Sequence, residues 1–140
     1  MRILFHFMGG LITCALCAGV PSALAAPPLP APAMKLTVPA GSGEVHEDGR
    51  VSPQEIRRYR FDLKSGRELH LRLLSSDTRP VFQLLGPDGV PIYDSHSGAS
   101  GPEYDGLTDA SGTYEIRVFL LRAQTAQSAP APFTLSLMLD

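Results

Sequence analysis

The fold is decided by one alternating stretch, Gly112-Thr113-Tyr114-Glu115-Ile116-Arg117-Val118-Phe119-Leu120-Leu121-Arg122. The side chains predicted to point to one side are all apolar: Tyr114, Ile116, Val118 and Leu120. Those predicted to point to the other side are mostly polar: Thr113, Glu115, Arg117 and Phe119. A period of two over this length, rich in β-branched and aromatic residues, predicts a long strand with one buried face.

Shorter runs with similar alternation lie on both sides of this strand. They predict further strands at 36–38, 44–47, 59–63, 69–73, 80–85, 90–93, 104–107 and 133–139. Turn-forming residues separate several of the runs, most clearly at Gly86-Pro87-Asp88-Gly89, where they favour a tight turn. Helical spacing occurs only where the strand pattern fits as well. The chain is therefore predicted to be an all-β, antiparallel β-sandwich of about seven to nine short strands.

The strands at 59–63 and 69–73 are predicted to form a hairpin. Lys64-Ser65-Gly66 between them suits a three-residue loop with glycine at positive φ. In the register that this loop sets, Phe61 lies opposite Leu69 and apolar side chains face apolar ones throughout.

The same register gathers basic residues on the outward side of the hairpin: Arg58, Arg60, His70 and Arg72. Such a surface suits an anionic glycan, a lipid headgroup or an acidic partner. It is also explained as a solvated face whose charge protects a sheet edge, which is the interpretation we favour, and both stay open.

Residues 1–25 have the order of a secretory signal peptide. Arg2 is followed by an apolar run and then by the cleavage signature Ala23-Leu24-Ala25. Residues 26–34 are rich in proline and alanine and predict an extended linker, which leaves 35–140 as the domain. We therefore expect a periplasmic or secreted protein with no stable membrane span after cleavage.

The composition of the mature chain argues against several classes of function. Both cysteines lie in the predicted signal peptide, so the domain has to fold without a disulfide. The full chain has 12 Lys+Arg and 14 Asp+Glu, and Arg2 is the only charge in the signal peptide, which gives a mature net charge of −3. Nucleic acid is therefore not an expected partner.

The sequence also lacks the motifs of familiar catalytic and metal sites. It contains no G-x-S-x-G, H-E-x-x-H, P-loop or G-x-G-x-x-G pattern. The mature histidines His46, His70 and His96 do not have the spacing of a zinc site, and the acidic loops lack the ligand order of a calcium loop. The prediction is a non-enzyme with no catalytic residue, metal or cofactor.

Residues 94–112 are mostly turn-forming and predict a long loop with a short strand inside it. Loops of this length in compact domains are often functional. Tyr104, between Glu103 and Asp105, suits an interface, and packing on the edge of the sandwich explains it equally well.

Three segments carry a resemblance to a known family: 59–69, 82–89 and 111–118. Their turn glycines and alternating apolar positions resemble those of bacterial pre-peptidase C-terminal domains, which are small β-sandwiches. Residues 114–122 and the pair Ser97-Gly98 are also similar to periplasmic inhibitors of goose-type lysozyme, which share this fold. The resemblance covers nearly the whole domain from about residue 43.

The resemblance to the inhibitors implies an exported, non-catalytic protein that occludes the glycan cleft of a lysozyme with protruding loops. It assigns partner binding to Ser97, Gly98, Tyr104, Arg117 and Arg122. Arginine and hydroxyl groups suit a cleft lined with carboxylates, whereas the acidic segment 102–105 departs from that expectation. The alternative is an accessory module of the pre-peptidase C-terminal type that binds a cell-envelope glycan through the basic face.

Overall fold

The computed structural model describes residues 32–39, 41–121 and 129–140. The predicted signal peptide, linker residues 26–31 and Arg122 lie outside these ranges. Nine strands form within them: β1 (Met34–Lys35), β2 (Gly43–Val51), β3 (Ile56–Leu63), β4 (Glu68–Leu74), β5 (Pro80–Leu85), β6 (Pro91–Asp94), β7 (Glu103–Leu107), β8 (Gly112–Leu120) and β9 (Ala131–Leu139). None of the described residues belongs to a helix long and apolar enough to span a membrane.

The strands form two sheets that pack into a sandwich. Sheet A has the order β1-β3-β8-β5-β6, and sheet B has the order β2-β9-β4-β7. All neighbouring strands are antiparallel except β1, which runs parallel to β3. The predicted all-β sandwich is confirmed, and the stretch quoted first provides the middle strand of sheet A.

The core lies between the sheets and is built from the alternating apolar positions. The largest fully buried side chains are Tyr59, Phe61, Phe82, Leu84, Tyr114, Ile116 and Val118 from sheet A, and Val51, Leu69, Leu71, Leu135 and Leu137 from sheet B. Phe61 and Tyr114 stack across the β3–β8 pair with ring centroids 6.1 Å apart. Burial of these apolar surfaces is the main favourable contribution to folding, because the domain has no disulfide.

The predicted hairpin of β3 and β4 is wrong. β3 pairs with β1 and β8 in sheet A, whereas β4 pairs with β7 and β9 in sheet B. The segment between them therefore crosses from one sheet to the other. Alternation cannot separate the two arrangements, because strands that cross the sandwich also turn their apolar sides toward each other. Gly66 nevertheless has the predicted positive φ, of 77°.

Thr108, in the connection from β7 to β8, fixes this crossing segment. It is 5% exposed. Its hydroxyl accepts a hydrogen bond from the backbone N–H of Arg67 at 2.9 Å and donates one to the carbonyl of Lys64 at 2.7 Å. The backbone N–H of Gly66 also donates to the carbonyl of Thr108, at 2.6 Å. One buried hydroxyl thus holds both ends of the link between the sheets.

We expect Thr108→Val to lower the free energy of unfolding by about 1–3 kcal/mol, because it leaves a part-buried backbone donor and a part-buried backbone acceptor without their partner. Urea denaturation measures this loss. Ser65→Ala in the same crossing segment is the control, since Ser65 is exposed, its backbone N–H donates to Ser111, and its hydroxyl only accepts a long, exposed hydrogen bond of 3.4 Å from Ser111. Equal effects of the two substitutions would contradict the role given to Thr108.

Candidate functional site

One end of the sandwich carries a loop, residues 95–102, that joins β6 in sheet A to β7 in sheet B. The short strand predicted inside residues 94–112 is present as β7, which pairs with β4 and leaves residues 95–102 as the loop. Ser97 lies in this loop with an exposed side chain. The loop therefore presents a hydroxyl next to the edges of both sheets.

Hydrogen bonds fix the beginning of the loop. The backbone N–H of Ser95 donates to the carbonyl of Phe82 at 2.9 Å, and the hydroxyl of Ser95 accepts from the N–H of Phe82 at 2.8 Å. The N–H of Gly98 donates to the carbonyl of Asp94 at 2.7 Å. These contacts anchor the loop to the buried strand β5.

Tyr93 supports the loop from below. Its hydroxyl donates to the carbonyl of Gly101 at 2.8 Å, and its ring lies 5.7 Å from the ring of Phe82. A Cβ atom at position 98 would come within 2.4 Å of the Tyr93 ring. Gly98 is thus required by the close approach of this ring, and Ala would displace either the loop or Tyr93.

Tyr104 belongs to the same support and does not lie in the loop. Its ring, on β7, lies 5.2 Å from that of Tyr93. Desolvation by burial raises the pKa of its hydroxyl. Of the two interpretations of Tyr104 drawn from the sequence, packing at the edge of the sandwich describes its surroundings.

Arg117 lies on the outer face of sheet A, in the same row of residues as Asp94, which precedes the 95–102 loop. Gln83 pairs with Arg117 on one side and with Asp94 on the other, so the three residues form a row across β8, β5 and β6. Two strand spacings, about 10 Å, separate the backbones of Arg117 and Asp94. The structure therefore places Arg117 near the residue from which the Ser97-Gly98 loop starts.

Glu115, which the sequence analysis did not single out, is the centre of the charged outer face of sheet A. Its carboxylate accepts a hydrogen bond from Nε of Arg60 at 2.8 Å and another from Nε of Arg117 at 2.7 Å. The residue is only 9% exposed although its side chain points outward. Desolvation by itself would raise the pKa of Glu115, but the hydrogen bonds and charges of the two arginines outweigh it and lower the pKa.

The basic face predicted from the hairpin register is wrong, because the strands that carry it belong to different sheets. In sheet A, Arg60 lies opposite Glu115 and Arg58 lies opposite Arg117. The two remaining residues of that predicted face, His70 and Arg72, lie on the far side of the molecule, in sheet B.

On the outer face of sheet B, the residues of the acidic segment are paired. The Nε atom of Arg72 lies 2.9 Å from the carboxylate of Glu103, and Nδ1 of His70 lies 2.5 Å from the carboxylate of Asp105. The hydrogen bond to Asp105 is the main cause of a raised His70 pKa. The negative charges that departed from the expected inhibitor pattern are thus directed away from the outer face of sheet A.

Sheet A has its own cluster of cations, which we call the sheet A basic face: Lys35, Arg58, Arg60 and Arg117. Lys35, which the sequence analysis did not select, pairs with Arg60 in the β1–β3 register, and its Nζ lies 3.8 Å from Asp62. The sequence contained no signal for this cluster, since it requires knowing that β1, β3 and β8 are neighbours. Within the described ranges, no three His, Cys, Asp or Glu residues converge as metal ligands.

Comparison with known proteins identifies solved structures with a similar fold. No protein-family model matches the chain, and no curated protein matches it. Among solved structures, the PliG inhibitor of g-type lysozyme from Aeromonas hydrophila is similar with a TM-score of 0.67 and 17% identity, over 77% of this chain and 96% of that one. PliG from Salmonella Typhimurium is similar with a TM-score of 0.59 and 19% identity, over 77% and 97% of the two chains.

The pre-peptidase C-terminal domain of a Bacillus anthracis collagenase is similar as well. Its TM-score is 0.60 at 12% identity, over 78% of this chain and 97% of that domain. The resemblance to both groups that the sequence suggested is therefore confirmed as a shared fold.

We expect Glu115→Gln to lower the free energy of unfolding at pH 7 by about 2 kcal/mol, because two arginines lose a nearly buried counter-charge. The folded pKa of Glu115 is lowered, so its stabilisation is present above the unfolded pKa and is lost as the pH falls through the folded value. Denaturation at pH 7 and pH 3 should therefore show a difference from wild type that shrinks in acid. Asp62→Asn, whose carboxylate is 63% exposed, is the control and should cost well under 1 kcal/mol.

Asp105→Asn tests the ion pair on the opposite face. The folded pKa of His70 is raised, so its contribution to stability is present below the unfolded pKa, about 6.5, and is lost as the pH rises through the folded value. The melting temperature of the variant should thus fall below that of wild type at pH 5.5 and match it at pH 9. A difference that is constant across this range would contradict the assignment.

Proposed function

We propose that this protein is exported, lacks catalytic activity and inhibits a goose-type lysozyme by occluding its active-site cleft. The observation that carries the proposal is the shared fold with PliG, which matches almost the full length of those inhibitors. Export is proposed from the signal-like order of residues 1–25.

The 95–102 loop has the properties expected of an inhibitory element. Its contacts with β5 and Tyr93 fix its conformation before binding, so little conformational entropy remains to be lost on association. Ser97 is exposed on it, while Gly98 and Tyr104 position it through Tyr93. We therefore assign contact with the lysozyme to Ser97 and a supporting role to Gly98 and Tyr104.

The positive charge near the 95–102 loop also favours this surface as the contact with a lysozyme. Glycosidases use a pair of carboxylates in their clefts, and an arginine is a suitable partner for such groups. Arg117 keeps a side chain that is 36% exposed although it donates to Glu115. Arg122, which follows β8 by two residues, is proposed as a further contact on the basis of the sequence resemblance alone.

A second candidate function is a cell-envelope accessory module that binds glycan. The sheet A basic face favours it, in place of the basic face first predicted from the hairpin. The likeness to a collagenase domain shows that this fold also occurs as one domain of a larger enzyme.

The test is inhibition of a goose-type lysozyme by the purified protein, which we expect to be stoichiometric. Ser97→Tyr should weaken inhibition at least tenfold by adding bulk where the loop meets the cleft. Ser65→Tyr is the matched control, because Ser65 is also an exposed serine but lies at the opposite end of the sandwich, and it should inhibit like wild type.

Arg117→Ala and Arg122→Ala should also weaken inhibition, with thermal denaturation as a check that the variants remain folded. Absence of inhibition at micromolar protein would remove the proposal. Equal inhibition by the Ser97 and Ser65 variants would instead show that the contact surface is wrong.

A further inference from the structure

The sheet A basic face concentrates positive charge within a small area. Arg58 and Arg60 stand two residues apart on β3, and Arg117 lies directly opposite Arg58 on β8. By strand geometry these three backbone positions fall within about 7 Å of each other along the strands and about 5 Å across them. Like charges at directly opposed positions of an antiparallel pair are unfavourable, so an anion bound here would relieve repulsion.

The carboxylate within this cluster neutralises only part of its charge. Glu115 accepts hydrogen bonds from Arg60 and Arg117. For Arg58 no carboxylate lies within ion-pair distance among the described residues, and its Nε is shielded from solvent with no acceptor in that part of the chain. Three arginines around one carboxylate leave an excess of two positive charges, which matches a phosphate monoester at neutral pH, with about −1.5 to −2.

A depression of about 370 Å³ adjoins the arginines. Arg60, Glu115 and Arg117 form one side of it, and Thr113 and the turn that contains Gly86 and Gly89 complete it. Its volume is in the range of small-ligand pockets. A charged carboxylate, a threonine hydroxyl and guanidinium groups can all exchange hydrogen bonds with sugar hydroxyls. The cations thus border a polar cavity of the size that a monosaccharide needs.

We propose that the outer face of sheet A binds a phosphorylated sugar, with the phosphate monoester held by Arg58, Arg60 and Arg117 and the sugar ring in the adjoining depression. This site goes beyond the proposed inhibition of a lysozyme, since Arg58 and Arg60 have no part in that surface. It rests on the second candidate function, glycan binding by the same face, and names the ligand class. A carboxylated sugar is a poorer match, because its single negative charge would leave the cluster with an uncompensated cation.

Isothermal titration calorimetry with glucose 1-phosphate tests the proposal. We expect one saturable site whose affinity falls with added salt. Glucuronate, glucose and inorganic phosphate should each bind at least tenfold more weakly, because each lacks either the second negative charge or the ring. Arg58→Gln should weaken binding of glucose 1-phosphate about tenfold, the loss expected for one charge-assisted contact.

Arg50→Gln is the matched control, because Arg50 is an exposed arginine on β2, in sheet B, and its loss should leave the affinity unchanged. Equal binding of inorganic phosphate would overturn the proposed sugar site and leave an ion site only. Equal binding of glucuronate, equal effects of the two arginine variants, or no saturable binding would overturn the proposal. No lysozyme is present in these titrations, so their failure is distinguishable from failure of the inhibition assay.

Discussion

The pairing of Glu115 with two arginines determines the positions of the charged side chains and the net charge on the outer face of sheet A. Its carboxylate joins β3 to β8 through Arg60 and also fixes the guanidinium of Arg117 along β8. Without this acceptor, three arginines would stand within two neighbouring strands with no counter-charge between them. The same carboxylate lowers the net charge of the face without cancelling it. Glu115 therefore both orders the two guanidinium groups and sets how much positive charge remains on the face.

A second level of organisation comes from the passage between the sheets. Most connections cross from one sheet to the other, and two of them, after β3 and after β6, are fixed by hydrogen bonds of a single side chain. Thr108 holds the crossing after β3 through hydrogen bonds, and Tyr93 holds the crossing after β6 through its ring and its hydroxyl. Hydrogen bonds and ring packing thus anchor the exposed loop at 95–102 to the core. A loop fixed in this way would lose less conformational entropy on binding a partner than a flexible loop.

The sequence was sufficient for most strands and insufficient for their neighbours; the first strand, predicted at 36–38, forms at Met34–Lys35 instead, because two alternating apolar residues mark a strand without fixing its bounds. Alternation predicted β8 with its buried side chains, the strand at 80–85 that forms β5, and the tight turn after it, because these depend on residues close together in the chain. It could not decide whether β3 pairs with β4, because both a hairpin and a crossing satisfy the same apolar parity. The predicted basic face of Arg58, Arg60, His70 and Arg72 was wrong for the same reason, because it assumed that β3 pairs with β4. Similarly, Gly98 could be selected from the resemblance, but its physical reason, contact with Tyr93, needs the folded chain.

The separation of charge between the two outer faces affects the orientation of the molecule near a charged surface. Cations gather on sheet A, while the outer face of sheet B carries mainly carboxylates: Glu44, Asp48, Glu68, Glu103 and Asp105. A sandwich with little net charge thus has an electric dipole directed across its two layers. Within a Debye length of about 8–10 Å of a negatively charged surface, the field of that surface exerts a torque on this dipole that turns sheet A toward the surface. Orientation would then precede contact, and added salt would abolish it.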